Sequence, residues 1–442
     1  MFIPFAAPRK GALMPRALGL PDISGWLTSI AMTTNRATPT EKRSIAVIGA
    51  GPAGLMAAER LSAAGHQVTV YDQMPSVGRK LLMAGRGGLN LTHSEPLERF
   101  LQRYGETSWH LIDAVSAFPP EILRAWAEAL GQETFIGSSG RVFPRAMKAS
   151  PLLRSWLARL ADQGVRILTR HRWIGWDEGA ILFSDPSGLP LRVHADATLL
   201  ALGGASWPRL GSDGNWVDHL ARRGVELAPL APSNMGVNVA WGEPFRGRFV
   251  GQPLKNIAVN HSGTRVRGEA VVTAYGLEGG AIYALSSHLR RALEENASTV
   301  LEIDLRPELS VERLAERLSR QRKGESRSNA LRKTLSLQPI QIGLLREASA
   351  SLPAEPAELA ALIKAVPLTV TGVQPVERAI STAGGVSFSA IDENFMLRAI
   401  PGTFVAGEML DWDAPTGGYL LQASFATGMA AAVGIERWLN RA

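Results

Sequence analysis

The chain has 442 residues, of which 45% are hydrophobic and 20% charged, and its formal net charge is +7. This length exceeds one ordinary core and predicts two or three domains of a globular protein. The absence of cysteine excludes disulfides, thiolate metal sites, thiolate catalysis and a flavin disulfide reductase. With no cysteine and no apolar run of membrane-spanning length, we expect a cytoplasmic protein without a membrane partner.

Residues 1–43 precede the first predicted strand. They hold more cations than acids and scattered prolines, but no continuous apolar core and no clean amphipathic helix. A targeting peptide would need one of these features, so we predict a disordered leader instead. Met32 is an alternative beginning for the protein.

A dinucleotide-binding pattern follows the leader. The apolar run Ser44–Ile48 predicts a buried strand. It ends in the motif G-x-G-x-x-G, formed by Gly49, Gly51 and Gly54, and helical spacing follows. Gly49 permits the tight turn, Gly51 lets a pyrophosphate approach the backbone, and Gly54 lets the helix pack close to the sheet. The helix N-terminus attracts phosphates, and Asp72 at the end of the second strand can accept hydrogen bonds from a ribose.

The segment Gly78–His93 decides between NAD(P) and FAD. It places four glycines and three cations shortly after the acidic residue that binds the ribose. A plain NAD dehydrogenase does not need such a segment, whereas FAD continues through a ribityl chain to a large ring. Backbone N–H groups in Gly85–Asn90 can approach that chain and ring. Arg79 and Lys80 can neutralise the pyrophosphate, although Lys80 is equally compatible with a solvated surface position.

Glycines recur at the ends of later predicted strands and helices, at Gly203–Gly204, Gly384–Gly385, Gly407 and Gly417–Gly418. A glycine at a strand end allows the backbone to approach a ligand closely. Glu408 can form hydrogen bonds with ribityl hydroxyls. The last pair opens a long predicted helix, whose N-terminus can hold the electron-rich end of a flavin.

The middle of the chain has a different pattern. Short alternating strands, among them Thr264–Arg267 and Ala270–Thr273, predict a small antiparallel sheet or barrel. We predict a helix over Ala281–Leu293 and helical structure over 306–365. The segment Arg313–Lys333 holds eight basic residues and is a candidate phosphate-contacting patch. A solvated face of a small helical subdomain is the interpretation that we favour.

The chain resembles the BaiN/RdsA (YhiN-like) family of FAD-dependent oxidoreductases from Ser44 to Trp438. The resemblance rests on the segments Gly78–His93, Gly203–Gly214, Thr382–Val386 and Gly407–Gln422. It implies an α/β fold with a Rossmann-like FAD-binding domain in two sequence segments, an inserted β-barrel-like domain and a helical subdomain. The predicted divisions are a leader at 1–43, the first FAD-binding segment at 44–231, a β-rich insert at 232–305, a helical subdomain at 306–366, and the return strand of the insert with the second FAD-binding segment at 367–442.

The expected FAD contacts combine the glycine motifs with nearby polar groups. They are Gly49, Gly51, Pro52, Ala53, Gly54, Asp72, Gln73, Arg79, Lys80, Gly85, Gly87, Gly88, Asn90, Gly203, Gly204, Gly407, Glu408, Gly417, Gly418 and Tyr419. His93, Arg86 and Tyr419 are candidates for catalysis because they adjoin flavin-contact segments, and each is also compatible with a purely structural hydrogen bond. We predict no metal site.

Three positions depart from the pattern that the resemblance implies. Leu89, Leu202 and Leu420 stand where many family members carry cysteine, threonine and asparagine. All three lie where the flavin is expected. The glycine contacts that hold FAD are retained, so we expect the cofactor to bind.

The function that we predict first is an FAD-dependent oxidoreductase. It would take electrons from NAD(P)H and reduce an unsaturated substrate by hydride transfer from flavin N5. The alternative implied by the resemblance is flavin-dependent reduction of uridine in ribosomal RNA to dihydrouridine. A third hypothesis is a non-catalytic flavin-binding protein, because the sequence assigns no acid or base. The partner is therefore a small-molecule or RNA substrate, and the sequence leaves the oligomeric state open.

Overall fold

The computed structural model describes residues 42–85, 87–105, 107–320, 326–349 and 351–441. Nearly all of the predicted leader lies outside the described residues. The same is true of the catalytic candidate Arg86 and of five residues within the basic segment Arg313–Lys333.

The strands of the described residues are β1 to β19 in chain order. They are Ser44–Ile48, Gln67–Asp72, Thr92–His93, Thr134–Ile136, Arg141–Pro144, Arg166–Thr169, Arg172–Asp177, Ala180–Ser184, Pro190–Val193, Ala197–Leu200, Leu227–Ser233, Val237–Val239, Pro253–His261, Thr264–Val272, Gly276–Glu278, Thr299–Asp304, Val366–Val373, Ser381–Val386 and Thr403–Val405.

The α-helices of the described residues are α1 to α15 in chain order. They are Pro52–Ala63, Arg79–Ala84, Leu97–Gln102, Trp109–Ala117, Pro120–Ala129, Ala149–Asp162, Trp216–Ala221, Glu243–Phe249, Gly280–Tyr283, Ser286–Glu295, Val311–Ser319, Arg327–Leu335, Pro339–Ala348, Pro356–Lys364 and Tyr419–Leu439.

A five-stranded parallel sheet forms the centre of the first domain, in the order β19, β10, β1, β2 and β6. Val47 in β1 lies between Val70 in β2 and Leu199 in β10. Consecutive residues of β1 are buried because helices cover both faces of such a sheet. Helices α1 and α15 pack very closely, since a Cβ on Gly428 would lie 2.3 Å from the carbonyl oxygen of Ala53. The predicted Rossmann-like α/β fold is confirmed.

The carboxyl ends of four parallel strands meet at one edge of this sheet. β1 leads into Gly49, and β2 ends on Asp72. β10 leads towards Gly203, and β19 leads towards Gly407. Parallel strands share one direction, so these distant sequence segments converge in a single groove.

A closed barrel forms the second domain, in the order β12, β15, β14, β13, β16 and β17. The two strands predicted over Thr264–Arg267 and Ala270–Thr273 are one strand, β14, which pairs with β13 on both sides of a register shift between Leu254 and Ile257. The predicted helix over Ala281–Leu293 is also corrected. It is two helices, α9 and α10, separated by Ala284 and Leu285, because Leu285 leaves the helical conformation with φ −103° and ψ 6°.

An antiparallel pair of strands connects the two domains. β11 pairs with β18, and Ser233 lies opposite Ser381. The predicted boundary at residue 231 falls inside β11, and the domain divisions otherwise remain predictions. Among the described residues, none of the helices combines the length and the hydropathy that a membrane span requires.

Candidate functional site

Glycines shape the groove at the carboxyl edge of the parallel sheet. Gly49 has φ +109°, and a Cβ there would lie 2.2 Å from the carbonyl oxygen of Ala201. A Cβ on Gly54 would lie 2.0 Å from the carbonyl oxygen of Gly49, so glycine lets α1 start close to β1. A Cβ on Gly51, in contrast, would meet nothing within 4 Å. Gly51 therefore keeps open the space that a phosphate requires at the N-terminus of α1.

Asp72 lies at the tip of β2 with its carboxylate against the backbone. Its Oδ2 accepts a hydrogen bond from the N–H of Ala50 at 2.8 Å, and its Oδ1 accepts one from the N–H of Met74 at 2.7 Å. Burial raises the pKa of Asp72, and these hydrogen bonds oppose that rise because they favour the charged form. Each carboxylate oxygen can accept more than one hydrogen bond, so Asp72 can also receive ribose hydroxyls.

Lys80 and Glu408 form an ion pair in the groove. The Lys80 Nζ lies 2.5 Å from the Glu408 Oε2 and donates to the Ser206 Oγ at 2.6 Å. The Glu408 Oε1 accepts a hydrogen bond from the N–H of Thr382 at 3.1 Å. The sequence predicts Lys80 and Glu408 as separate cofactor contacts. In the structure they balance each other's charge and connect three segments of the chain.

Three buried polar atoms in the predicted cofactor segments have no hydrogen-bond partner among the described residues. They are the Arg79 Nε, the Asn90 Oδ1 and the Ser212 Oγ. A buried polar atom without a partner costs about 1–3 kcal/mol, so such atoms mark positions where a ligand or water binds. Ser212 is 5% exposed and lines the groove beside Gly203. FAD carries phosphate, hydroxyl and ring-nitrogen groups that can supply these partners, so the residues present fit the cofactor.

The turn before α15 has the backbone that the sequence predicts for the flavin end. Gly418 has φ +98°, and a Cβ there would lie 2.5 Å from the Cα of Thr92. Only glycine permits this contact between the turn and β3. No side-chain hydrogen bond caps α15 at Gly418, so its first N–H groups and its positive dipole end face the turn.

The catalytic candidates His93 and Tyr419 lie together in a hydrogen-bond network. The Tyr419 Oη donates to the Glu95 Oε1 at 2.6 Å, and the His93 and Tyr419 rings stack at 5.6 Å between centroids. The His93 Nδ1 accepts from the N–H of Glu95 at 3.1 Å, so its Nε2–H donates to the carbonyl oxygen of Ser139 at 3.0 Å. Burial raises the pKa of Tyr419, and the hydrogen bond to Glu95 raises it further. Both candidate side chains are already engaged in hydrogen bonds, and Tyr419 keeps its proton at neutral pH.

Arg103 completes this network. Its Nε and Nη2 donate to the two oxygens of Glu95 at 2.9 and 2.7 Å. These bonds are the largest cause of the lowered pKa of Glu95. Glu95 therefore stays ionised, and its carboxylate accepts the hydrogen bond from the Tyr419 hydroxyl.

The structure separates the predicted FAD contacts into two sets. Those that line the groove are Gly49, Gly51, Pro52, Ala53, Asp72, Gln73, Arg79, Lys80, Gly203, Gly407 and Glu408. Those that do not line it are Gly54, which supports it from behind, and Gly85, Gly87, Gly88, Asn90, Gly204, Gly417, Gly418 and Tyr419. Gly85 has a packing role, because a Cβ there would lie 2.7 Å from the Cβ of Ala149 in α6.

Other groove residues were missed from the sequence. Residues 171–174 at the start of β7 line the groove, as does Trp216, whose Nε1 donates to the carbonyl oxygen of Gly203 at 2.9 Å. Ser212 lies inside the glycine-rich segment Gly203–Gly214, so the sequence indicated the region that contains it. Residues 171–174 lie in no glycine motif and carried none. Within the described part of the chain, no cluster of His, Asp or Glu side chains is arranged to hold a metal ion.

Comparisons with known proteins extend over both domains. Residues 43–434 match the family described as "HI0933-like protein Rossmann domain". The chain is 26% identical over 407 residues to a 3-dehydro-bile acid delta(4,6)-reductase from Clostridium scindens, covering 88% of this chain and 97% of that protein. It is 24% identical over 421 residues to a ribosomal RNA dihydrouridine synthase from Haemophilus influenzae, covering 88% and 98%. The corresponding protein from Escherichia coli is 24% identical over 414 residues, covering 87% and 96%.

Proposed function

The chain belongs to the HI0933-like Rossmann-domain family, and we propose that it is an FAD-dependent oxidoreductase. Its proposed reaction is the reduction of a carbon–carbon double bond, with NAD(P)H as the electron donor. The observation that carries the proposal is the glycine-formed groove with its unpartnered Arg79 Nε and Ser212 Oγ atoms. The activities named for the relatives, a reductase and a dihydrouridine synthase, support the same class of enzyme.

The residues of the chain divide the work of holding the cofactor. The N-terminus of α1 with Gly51 would bind the phosphates, and Asp72 would accept the ribose hydroxyls. The N-terminus of α15 would stabilise negative charge on the reduced ring. When bound, FAD supplies hydride transfer, so that NAD(P)H and one proton are consumed and each carbon of the double bond gains one C–H bond.

The substrate class that we propose to test first is a conjugated ketone. The relative from Clostridium scindens is named as a reductase of a 3-dehydro-bile acid, with the reduced double bonds at positions 4 and 6. A double bond conjugated to a carbonyl accepts a hydride readily because the carbonyl oxygen takes up the negative charge. Steroidal and simple cyclic enones therefore form a rational first panel.

The test begins with the absorbance spectrum of the purified protein. Bound flavin gives bands at about 370 and 450 nm, and anaerobic NADPH or NADH should bleach the second band. An enone should then restore it without oxygen. A flavin that dithionite reduces but neither nucleotide reduces would contradict NAD(P)H as the donor, and a protein that binds no FAD would contradict the whole proposal.

Uridine in structured ribosomal RNA is a second candidate substrate. Two relatives are named as ribosomal RNA dihydrouridine synthases, and the net charge of +7 favours a polyanionic partner. The described part of the basic segment on and beside α11 and α12 has one half-buried cation, Arg327, and five exposed ones, namely Arg313, Arg317, Arg320, Arg332 and Lys333. Binding of a structured RNA should weaken steeply between about 50 and 200 mM salt. Affinity that does not change with salt, or no binding, would argue against RNA.

A further inference from the structure

A second cavity lies between the two domains. Its volume is about 730 Å³, within the range of sites for small molecules. Four stretches form its walls, and we call it the interdomain cleft. They are residues 102–105 at the end of α3, residues 233–234 at the end of β11, residues 413–415 before α15, and residues 283–291, which include the start of α10.

Two of the arginines that line the cleft are neutralised by local partners. The Arg290 Nη1 donates to the carbonyl oxygen of Pro232 at 2.8 Å, and its Nη2 lies 3.7 Å from the Asp413 Oδ2. Arg103 is held by both oxygens of Glu95. These cations therefore fix the walls of the cleft and are less available to a ligand.

Arg291 and His288 differ from this pair. Arg291 is exposed, and its Nε makes only a long hydrogen bond of 3.4 Å to the carbonyl oxygen of Ser287. The His288 Nδ1 lies 3.5 Å from the Ser287 Oγ. Among the described residues, no carboxylate lies within ion-pair distance of either side chain. The cleft therefore has an excess of cationic and hydrogen-bond-donating groups at one end.

The backbone adds to this positive region. α10 has ten residues and begins at Ser286, and its N-cap residue, Leu285, has no side chain that can accept a hydrogen bond. Ser286, Ser287 and His288 of its first turn line the cleft, so the positive end of the helix dipole lies at the cleft wall. A phosphate group, which accepts several charge-assisted hydrogen bonds, matches this arrangement.

The opposite wall of the cleft leads directly to the predicted flavin turn. Pro415 lines the cleft and stands two residues before Gly417. The N–H of Thr416 donates to the Asn234 Oδ1 at 3.0 Å, which fixes the loop between them. The part of the cleft wall that contains Pro415 is therefore adjacent in sequence to the turn at which flavin chemistry is expected.

We propose that the interdomain cleft binds a phosphate group of NADPH through His288, Arg291 and the N-terminus of α10. This inference rests on the proposed function, because a nicotinamide donor has no second G-x-G-x-x-G motif in the sequence. The cleft favours a small nucleotide over RNA. A nucleic-acid strand needs cations along an extended track, whereas Arg291, the cation here without a carboxylate partner among the described residues, lies at one end of a concave site.

The test uses the FAD-loaded protein and the redox-inactive probe 2′,5′-ADP, with binding measured by calorimetry. R291Q should lower the affinity for 2′,5′-ADP about tenfold or more, in line with the loss of a charge-assisted contact. Its effect on 5′-ADP should be smaller. R246Q is the matched control, because Arg246 is an exposed arginine of the same domain and does not line the cleft. The KM for NADPH should rise in R291Q while the flavin spectrum stays unchanged.

Two results would overturn the inference. One is binding of 2′,5′-ADP that R291Q and H288Q leave unaltered, or no binding of 2′,5′-ADP to the unmodified protein. The other is that R291Q weakens the binding of an RNA oligonucleotide but not the binding of 2′,5′-ADP. Failure of the proposed function looks different, because the flavin would then stay oxidised with NADPH and NADH in the unmodified protein.

Discussion

The cofactor groove and the interdomain cleft are constructed in opposite ways. The groove has a volume of about 280 Å³, and six glycines line it. Its lysine is paired with Glu408. The cleft is larger, at about 730 Å³, and four separate stretches with a single glycine line it. Among the described residues, Arg291 and His288 in α10 have no carboxylate partner, whereas Arg290 lies 3.7 Å from Asp413.

This difference determines what each site tolerates. A backbone-formed groove accepts many changes of neighbouring side chains but no added Cβ where a phosphate must lie. A side-chain-formed cleft accepts small changes of backbone but changes its specificity with one charge. The junction between the domains serves both sites, because it fixes the loop that runs from the cleft to the predicted flavin turn.

The largest expected effect is at Asn234, in this junction. Asn234 is 1% exposed with φ +52°, and its Nδ2 donates to the Ser381 Oγ at 2.7 Å and to the carbonyl oxygen of Ala414 at 2.8 Å. N234A removes these bonds and leaves buried partners unsatisfied, so the free energy of unfolding should fall by about 3 kcal/mol. Urea unfolding of the FAD-loaded protein measures it.

The variant N234G separates the two causes of that loss. Glycine tolerates the positive φ but supplies no amide, so N234G should recover up to about 1 kcal/mol relative to N234A. Both variants should also bind FAD and 2′,5′-ADP more weakly, because the junction serves both sites. An N234A protein as stable as the unmodified one would contradict the role of this junction.

Gly51 tests the groove alone. G51A leaves the protein fold intact, because a Cβ there meets nothing within 4 Å and φ at this position is −86°. The methyl group occupies the space of the phosphate, so FAD affinity should fall at least about a hundredfold, or about 2.7 kcal/mol. Fluorescence titration of the apo protein measures this affinity. G247A is the matched control, since Gly247 also has open space around it but lies in α8 of the second domain.

The contrast between the sites also explains what could be predicted from the sequence. The groove leaves a signature, because Gly49, Gly54 and Gly407 stand where the backbone admits no other residue without strain. The cleft leaves none, since Arg103 and Arg291 are ordinary arginines until the fold brings residues 102–105 and 283–291 together. The single strand β14 was missed for a related reason. Local polarity around Gly268 indicated a break that pairing with β13 overrides.

Lys80 tests whether charge matters in a groove formed by backbone. K80M removes the partner of Glu408 and leaves an uncompensated carboxylate in the groove. FAD affinity should therefore fall about tenfold, which is less than in G51A. The double variant K80M/E408Q should recover part of the loss, because the uncompensated charge is removed as well. If the double variant binds FAD more weakly than the product of the two single effects predicts, the ion pair acts on the cofactor in another way.

The smallest expected effect is a pH dependence at His110, at the start of α4 in the first domain. His110 is 6% exposed and stacks between Trp109, at 3.8 Å between ring centroids, and Phe388, at 5.6 Å. Burial lowers its pKa, and the positive charge of Arg398 lowers it further. The carboxylates of Asp392 and Glu393 and a backbone hydrogen bond at Asp392 act in the opposite direction.

A lowered pKa of the folded state fixes the sign of this effect. Below about pH 6.5 the unfolded chain binds a proton at His110 that the folded chain does not, so the free energy of unfolding falls as the pH falls through this window. H110F keeps a stacked ring and removes the titration. Between about pH 7.5 and 5.5, thermal unfolding should show a larger loss of stability in the unmodified protein than in H110F. Equal losses would mean that other titrating groups in the chain account for the acid sensitivity and that His110 does not contribute to it.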